Sequence, residues 1–205
     1  PCILGVIGGG NFAKTILIPE LKQNKNVQLQ AIANSNGANA NQNLETFGFN
    51  YATTDPKIIL EDPLINAVVI ATRHNTHADL TALALNAGKF VFVEKPLALT
   101  QTEINQIIRA KNKSPVTFFQ VGFNRRFAPM VLKIQKQLSK ERSPKFINIR
   151  VNAGAIPSNH WVHKPNQGGG RILGEVCHFV DLARFFANSP ITSVYGEASN
   201  GNSVT

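Results

Sequence analysis

The chain is short of several things, and each shortage narrows what it can be. Two cysteines in 205 residues, Cys2 and Cys177, lie far apart and outside any C-x-x-C spacing. That excludes a disulfide framework and a thiolate metal cage, and both are expected to be reduced. No apolar run reaches the roughly 18 residues of a membrane-spanning helix, and the first residues lack the charged, apolar and small-residue regions of a secretory leader. No membrane partner is expected, and the expected compartment is the cytoplasm. Acidic residues are scarce, 12 against 21 Lys and Arg, for a formal net charge of +9. The excess sits in residues 121–205, with eleven basic and four acidic side chains, against ten and eight in residues 1–120. These cations are scattered and not interleaved with aromatics, which argues against a nucleic-acid partner. An anionic cofactor together with a small anionic substrate accounts for the bias. No Met precedes Pro1, and a piece of a longer chain is expected.

What is present begins with Ile3-Leu4-Gly5-Val6-Ile7-Gly8-Gly9-Gly10-Asn11-Phe12-Ala13-Lys14. An apolar run, a glycine turn and a helix start make a site for a pyrophosphate, because glycines let backbone N–H groups approach and the helix end carries partial positive charge. The spacing Gly8-x-Gly10-x-x-Ala13 is the dinucleotide fingerprint with a small residue in third place. Gly8, Gly10, Asn11, Phe12 and Ala13 are therefore candidate cofactor contacts.

Six strands alternating with helices are expected: Ile3–Ile7, Val27–Ala33, a short one near Tyr51, Ala67–Ala71, Phe90–Val93 and Val116–Val121. That rhythm spells an α/β, doubly wound parallel sheet of Rossmann type. Thr76-x-x-Asp79 and Thr100-x-x-Glu103 read as capping boxes. At the end of the second strand, where an acidic residue would accept the ribose hydroxyls, stand Asn34 and Ser35. NAD and NADP both stay open, and the missing carboxylate leans toward NADP. After Gly122 the rhythm changes to a helix near 128–139, a strand near 146–153, a Gly/Pro loop, a helix over 174–187 and a strand near 192–198. The expected division is a nucleotide-binding domain over 1–121 and, over 122–205, part of an α+β domain with an open antiparallel sheet.

Together the stretches Gly8–Ala13, Ala71-Thr72 through His77, Glu94-Lys95-Pro96, Gly122–Phe127, and Gly168–Gly170 followed by His178 and Asp181 resemble the Gfo/Idh/MocA family of nicotinamide-dependent oxidoreductases. The resemblance runs from about Ile3 to Ala187. It implies hydride transfer between NAD or NADP and a sugar, polyol or nucleotide-linked sugar. It also implies a second domain that often mediates homo-oligomers, about half of which is missing here. The wording Gly174–His178 further resembles two-part proteins in which this module follows a zinc-type alcohol dehydrogenase half.

Oxidising a carbinol requires a group to take the hydroxyl proton while hydride leaves. Lys95, at a buried strand's end, is the first candidate. His178, an imidazole with an ordinary pKa of about 6.5, is the second and stands at the family's usual catalytic histidine. Asp181, one helical turn on, would orient that ring or face substrate. Many relatives carry an acid four residues before this histidine, whereas this chain has Gly174, with Glu175 displaced around the helix. That substitution keeps alive a non-catalytic NAD(P)-binding regulatory or scaffold module.

The resemblance implies cofactor contacts at Thr72, His77 and Glu94, with His77 alternatively a helix cap. Arg73 would favour an anionic ligand or lie on the surface. Arg125 or Arg126 would hold substrate, the other forming an ion pair, and Trp161 would wall the substrate pocket or anchor its loop on the core. His74/His77 and His160/His163 have i, i+3 spacing, but no carboxylate or thiolate joins them, so no metal is expected.

Overall fold

The computed structural model describes residues 1–116, 118–141 and 143–197. Its centre is a six-stranded sheet built from β1 (Cys2–Ile7), β2 (Val27–Ala33), β3 (Tyr51–Thr53), β4 (Ala67–Ile70), β5 (Phe90–Val93) and β6 (Phe119–Val121), in the order β3-β2-β1-β4-β5-β6. Every neighbouring pair is parallel. A parallel sheet must be covered on both faces, and the strand residues alternate accordingly. Leu4 and Val6 of β1 join Ile18, Leu29 and Ile32 in one buried cluster, while Ile7 joins Val68, Ile70, Leu85, Val91 and Val93 in another.

The crossover helices are α1 (Ile18–Gln23), α2 (Gly37–Phe47), α3 (Pro56–Glu61), α4 (His77–Asn86) and α5 (Gln101–Lys113). Their ends follow local chemistry. Asn36 accepts from Asn39 N–H to cap α2, and Asp55 accepts from Lys57 N–H to cap α3. Thr100 and Glu103 form the expected reciprocal box at α5. The box expected at Thr76 does not form. Thr76 Oγ1 donates back to Arg73 O at 2.9 Å, and Asp79 accepts instead from Gln106 of α5. The reason is the short helical turn His74–Thr76, which keeps Thr76 helical where a cap needs extended backbone. Upstream of α1, the turn Ala13–Leu17 widens to i+5 bonding just before Pro19, which has no N–H to give.

The sixth strand is shorter than expected. Val116 N–H donates to Ser114 Oγ, and that hydroxyl donates to Leu85 O, so the chain turns there before it pairs. Thr117, inside the expected strand, lies outside the described residues.

The chain divides after Gly122 into two compact units. Among the described residues the second unit contains α6 (Pro129–Leu138), α7 (Cys177–Ala187) and short helical turns, but no strand. The strands expected near 146–153 and 192–198 are therefore absent over 146–153 and 192–197; residue 198 lies outside the described residues. A strand exists only through ladder bonds to a neighbour, and an apolar alternation by itself supplies none. Phe146, Val194 and Tyr195 accordingly stand 92%, 86% and 88% exposed. The antiparallel sheet expected in this unit does not occur among the described residues. There is likewise no helix there long and apolar enough to cross a membrane.

Candidate functional site

In the order β3-β2-β1-β4-β5-β6 the connections leave β1 and β4 in opposite directions, and ligands of open parallel sheets bind at the crevice this creates at the strands' carboxyl ends. The glycine turn lies there. Gly8 has φ +100°, and a Cβ on it would stand 2.4 Å from Ala71 O and 2.9 Å from Thr72 Cγ2, so only glycine fits and Thr72 is its neighbour. Gly9 N–H donates to Asn34 Oδ1 at 2.6 Å. A Cβ on Gly10 meets nothing within 4 Å. The turn is thus closed at Gly8 and Gly9 and open at Gly10, just before the exposed Asn11 and Phe12, where a helix's first N–H groups have no intrahelical acceptor. Ala13 is buried and lets the helix lie close to the sheet. An anionic pyrophosphate fits this cradle.

Asn34, half-buried, points under the turn, while Ser35 is exposed. At the end of β4, Thr72 Oγ1 lies 2.6 Å from Thr76 Oγ1, and Arg73 is exposed. His77 is 0% exposed, with Nδ1 2.7 Å from Pro96 O and Nε2 3.2 Å from Thr72 O. Burial pushes its pKa below the ordinary value. The neutral ring has one N–H, and the shorter contact assigns it to Nδ1, donating to Pro96 O. His77 therefore brackets two loops from inside. Its expected contact with a cofactor is not made by this ring, because no part of it reaches the surface.

At the end of β5 the Glu94 carboxyl is buried, and burial raises its pKa. Its Oε2 accepts from Lys95 N–H, and a Cβ on Gly122 would lie 2.6 Å from its Oε1. Lys95 lies close enough to His77 for its charge to lower the imidazole pKa further. Gly8, Gly10, Thr72, Glu94 and Lys95 thus belong to one edge of the sheet.

In the second unit, α7 carries His178 and Asp181, both buried. Asp181 does not have the free carboxylate expected of a catalytic group. Arg126 Nε donates to Oδ2 at 2.6 Å and Nη2 donates to Oδ1, which raises the Arg126 pKa. A bidentate fork occupies both oxygens, so Arg126 is the ion-pair member of its dipeptide. Arg125 instead lies over the Phe179 ring at 4.5 Å. An open hollow of about 520 Å³ is lined by Asn124, Arg125, Phe127, Ala128 and His178. Trp161, expected to wall the substrate pocket, is not among the lining residues; its ring pairs with His160 at 5.6 Å.

Before α7, the turn Ile172–Val176 widens to i+5 bonding, and Gly174 is buried within it. Glu175, the acid next to Gly174, is held in a local ion pair. Arg171 donates to its Oε2 from Nε and Nη2 at 3.1 and 2.7 Å. No group of three or more His, Cys, Asp or Glu is placed to hold a metal ion among the described residues.

Sequence reasoning passed over Asn43, 1% exposed on α2 and beside Gly9, and over Gly122 against Glu94. The available signal for Asn43 was a polar residue at a position of α2 that the helix must turn toward the sheet.

Residues 3–123 match the model of the oxidoreductase family GFO_IDH_MocA, described by its NAD-binding Rossmann fold. A myo-inositol 2-dehydrogenase of Thermotoga maritima is 30% identical over 198 residues, covering 96% of this chain and 58% of that protein. A scyllo-inositol 2-dehydrogenase (NAD(+)) of Bacillus subtilis is 34% identical over 160 residues, covering 77% and 45%. A structure of levoglucosan dehydrogenase with NADH and L-sorbose superposes with a TM-score of 0.79 at 27% identity, covering 91% of this chain and 53% of that one. The chain spans about half the length of these relatives. A glycine cradle at the β1/β4 crevice, a Glu-Lys-Pro at the end of β5 and a family match over most of the first unit have one meaning: the chain belongs to the Gfo/Idh/MocA family of oxidoreductases with an NAD-binding Rossmann fold.

Proposed function

We propose that the whole protein is an NAD- or NADP-dependent oxidoreductase that moves a hydride between nicotinamide and a CH–OH group of a sugar-, polyol- or nucleotide-sugar-like substrate. The observation that carries the reading is the cradle closed at Gly8 and Gly9 and open at Gly10. Residues 1–121 bind the cofactor, and residues 122–205 contribute part of a substrate and oligomerisation domain. The nicotinamide supplies the hydride acceptor or donor.

This chain's residues do the rest. Gly10, Asn11 and Phe12 offer N–H groups to the pyrophosphate, with Thr72 beside the turn and Glu94 toward the nicotinamide ribose. Lys95 and His178 handle the hydroxyl proton, and Arg125, stacked on Phe179, holds the substrate. Asp181 acts through Arg126 as a positioning residue. The basic second half supports an anionic substrate, and the inositol and levoglucosan dehydrogenases among the relatives support a polyol-like one. A homo-oligomer is supported by Met130, Leu132 and Ile134, exposed along α6. Unbridged Cys2 and Cys177 support the cytoplasm. The wording Gly174–His178 supports a two-part arrangement with a zinc-type alcohol dehydrogenase half.

A second reading, a non-catalytic NAD(P)-binding regulatory or scaffold module, is favoured by Gly174 and by the engagement of Glu175 with Arg171. Lys95→Met separates the two. On the enzyme reading, turnover of a polyol panel falls about 10²–10⁴-fold while NADH affinity stays within about 3-fold. Cofactor binding with no turnover by the unaltered protein supports the second reading instead.

A further inference from the structure

In folds of this kind the side chain at the end of the second strand reads the adenosine ribose, a carboxylate accepting both hydroxyls in NAD-specific proteins. Here that side chain faces elsewhere. Asn34 Oδ1 accepts from Gly9 N–H at 2.6 Å, which fixes its Nδ2 on the opposite side of the amide. Asn34 Nδ2 is buried and has no hydrogen-bond partner, and the same holds for Asn43 Nδ2. Both amides pack against the same glycine, since a Cβ on Gly9 would lie 2.8 Å from the first nitrogen and 2.3 Å from the second. Buried donors without an acceptor are unfavourable, so this polar pair under the turn is held for the bond it makes to Gly9.

Within the segment that follows β2, no side chain takes over the ribose-reading role by charge. Asn36 Oδ1 is used by Asn39 N–H, the first turn of α2 has no acidic residue, and Glu45 is the first carboxylate after the strand. Residues 26–56 contain no Lys or Arg. A ribose 2′-phosphate is therefore neither repelled by a carboxylate of this segment nor attracted by a cation of it.

We infer that Asn34 is an internal strut beneath the phosphate turn, packed with Asn43 against Gly9, and that the protein accordingly discriminates weakly between the 2′-hydroxyl of NAD(H) and the 2′-phosphate of NADP(H). The inference rests on the dinucleotide reading proposed above. It changes Asn34 from a ribose contact into a positioning residue whose replacement sets cofactor choice.

The test titrates NADH and NADPH into the full-length protein, reading nicotinamide fluorescence, with Asn34→Asp and Asn34→Ala beside the unaltered chain. The two dissociation constants of the unaltered protein are expected within about 10-fold of each other; a wider ratio overturns the inference. Asn34→Asp keeps an acceptor for Gly9 N–H and adds a charge that repels the 2′-phosphate, so preference moves at least 10-fold toward NADH; an unmoved ratio overturns it. Asn34→Ala weakens both ligands together.

Hydrogen exchange of the Gly9 amide in cofactor-free protein supplies a second readout. Exchange at least 10-fold faster in Asn34→Ala, and unchanged in Asn34→Asp, supports the strut, and equal rates in all three refute it. If neither dinucleotide binds the unaltered protein, the dinucleotide reading fails, and the exchange rates still decide whether Asn34 holds the turn.

Discussion

The buried imidazole of His77 donates through Nδ1 to the carbonyl oxygen of Pro96 at 2.7 Å, joining the loop after β4 to the loop after β5. Those loops carry Thr72 and Arg73 on one side and Glu94 and Lys95 on the other. Replacing His77 by Leu leaves the Pro96 carbonyl without its donor inside a close-packed region. Urea denaturation should show a loss of about 2–4 kcal/mol.

The same ring makes stability depend on pH. Its folded pKa lies below the ordinary value of 6.5, with burial the main cause. A neutral His77 contributes fully above the unfolded pKa. As pH falls below 6.5 the unfolded chain binds a proton that the folded ring resists, so stability is lost on the acid side, by up to about 1.4 kcal/mol per pH unit. Unfolding free energies between pH 7 and 5 should fall less steeply in His77→Leu than in the unaltered protein.

Gly8 and Gly10 separate folding from binding. Gly8→Ala forces a side chain onto φ +100° and against Ala71 O, and should cost about 2–4 kcal/mol in thermal or chemical unfolding. Gly10→Ala meets no atom of the protein within 4 Å, so its melting temperature should stay within about 2 °C while its methyl enters the space proposed for the pyrophosphate. NADH affinity in Gly10→Ala should fall at least about 10-fold, read by fluorescence titration. Wild-type affinity in that variant contradicts the cradle.

Arg126 and Asp181 should show strong coupling in a double-mutant cycle of Arg126→Gln and Asp181→Asn. The guanidinium side is about a third exposed, so solvent screening reduces the coupling to about 1–2 kcal/mol. Arg126→Gln should cost more than Asp181→Asn, because it leaves a carboxylate only 8% exposed without its partner, whereas Arg126 without Asp181 is still 32% exposed and keeps the Phe185 ring.

Arg125→Met tests the hollow beside His178. With the Phe179 stack keeping a flat apolar support, the loss of charge should raise KM for an anionic or polyol substrate about 10-fold or more and leave NADH affinity within about 2-fold. An unchanged KM removes Arg125 from the substrate site.

Much of the first unit was legible because its signals are local. Val27–Ala33 and Ala67–Ile70 read as strands from their apolar runs, and Gly48 at φ +76° ends α2 where the sequence shows a stop. The Thr100–Glu103 box was legible for the same reason, whereas Thr76–Asp79 had the right letters and lost to a competing turn. Residues 146–153 show the opposite failure. Their alternation is that of a strand, yet a ladder needs a second strand, and none pairs with them among the described residues.

By itself the amino-acid order determined the α/β rhythm, the glycine cradle and the residues that could bear chemistry, since each depends on neighbours within one turn or one strand. Only the tertiary structure decided which of those residues are committed elsewhere. His77 answers to Pro96 across 19 positions, Gly9 to Asn34 across 25 and Arg126 to Asp181 across 55. A hydrogen bond between residues so far apart is set by how the elements pack, and no local period encodes it.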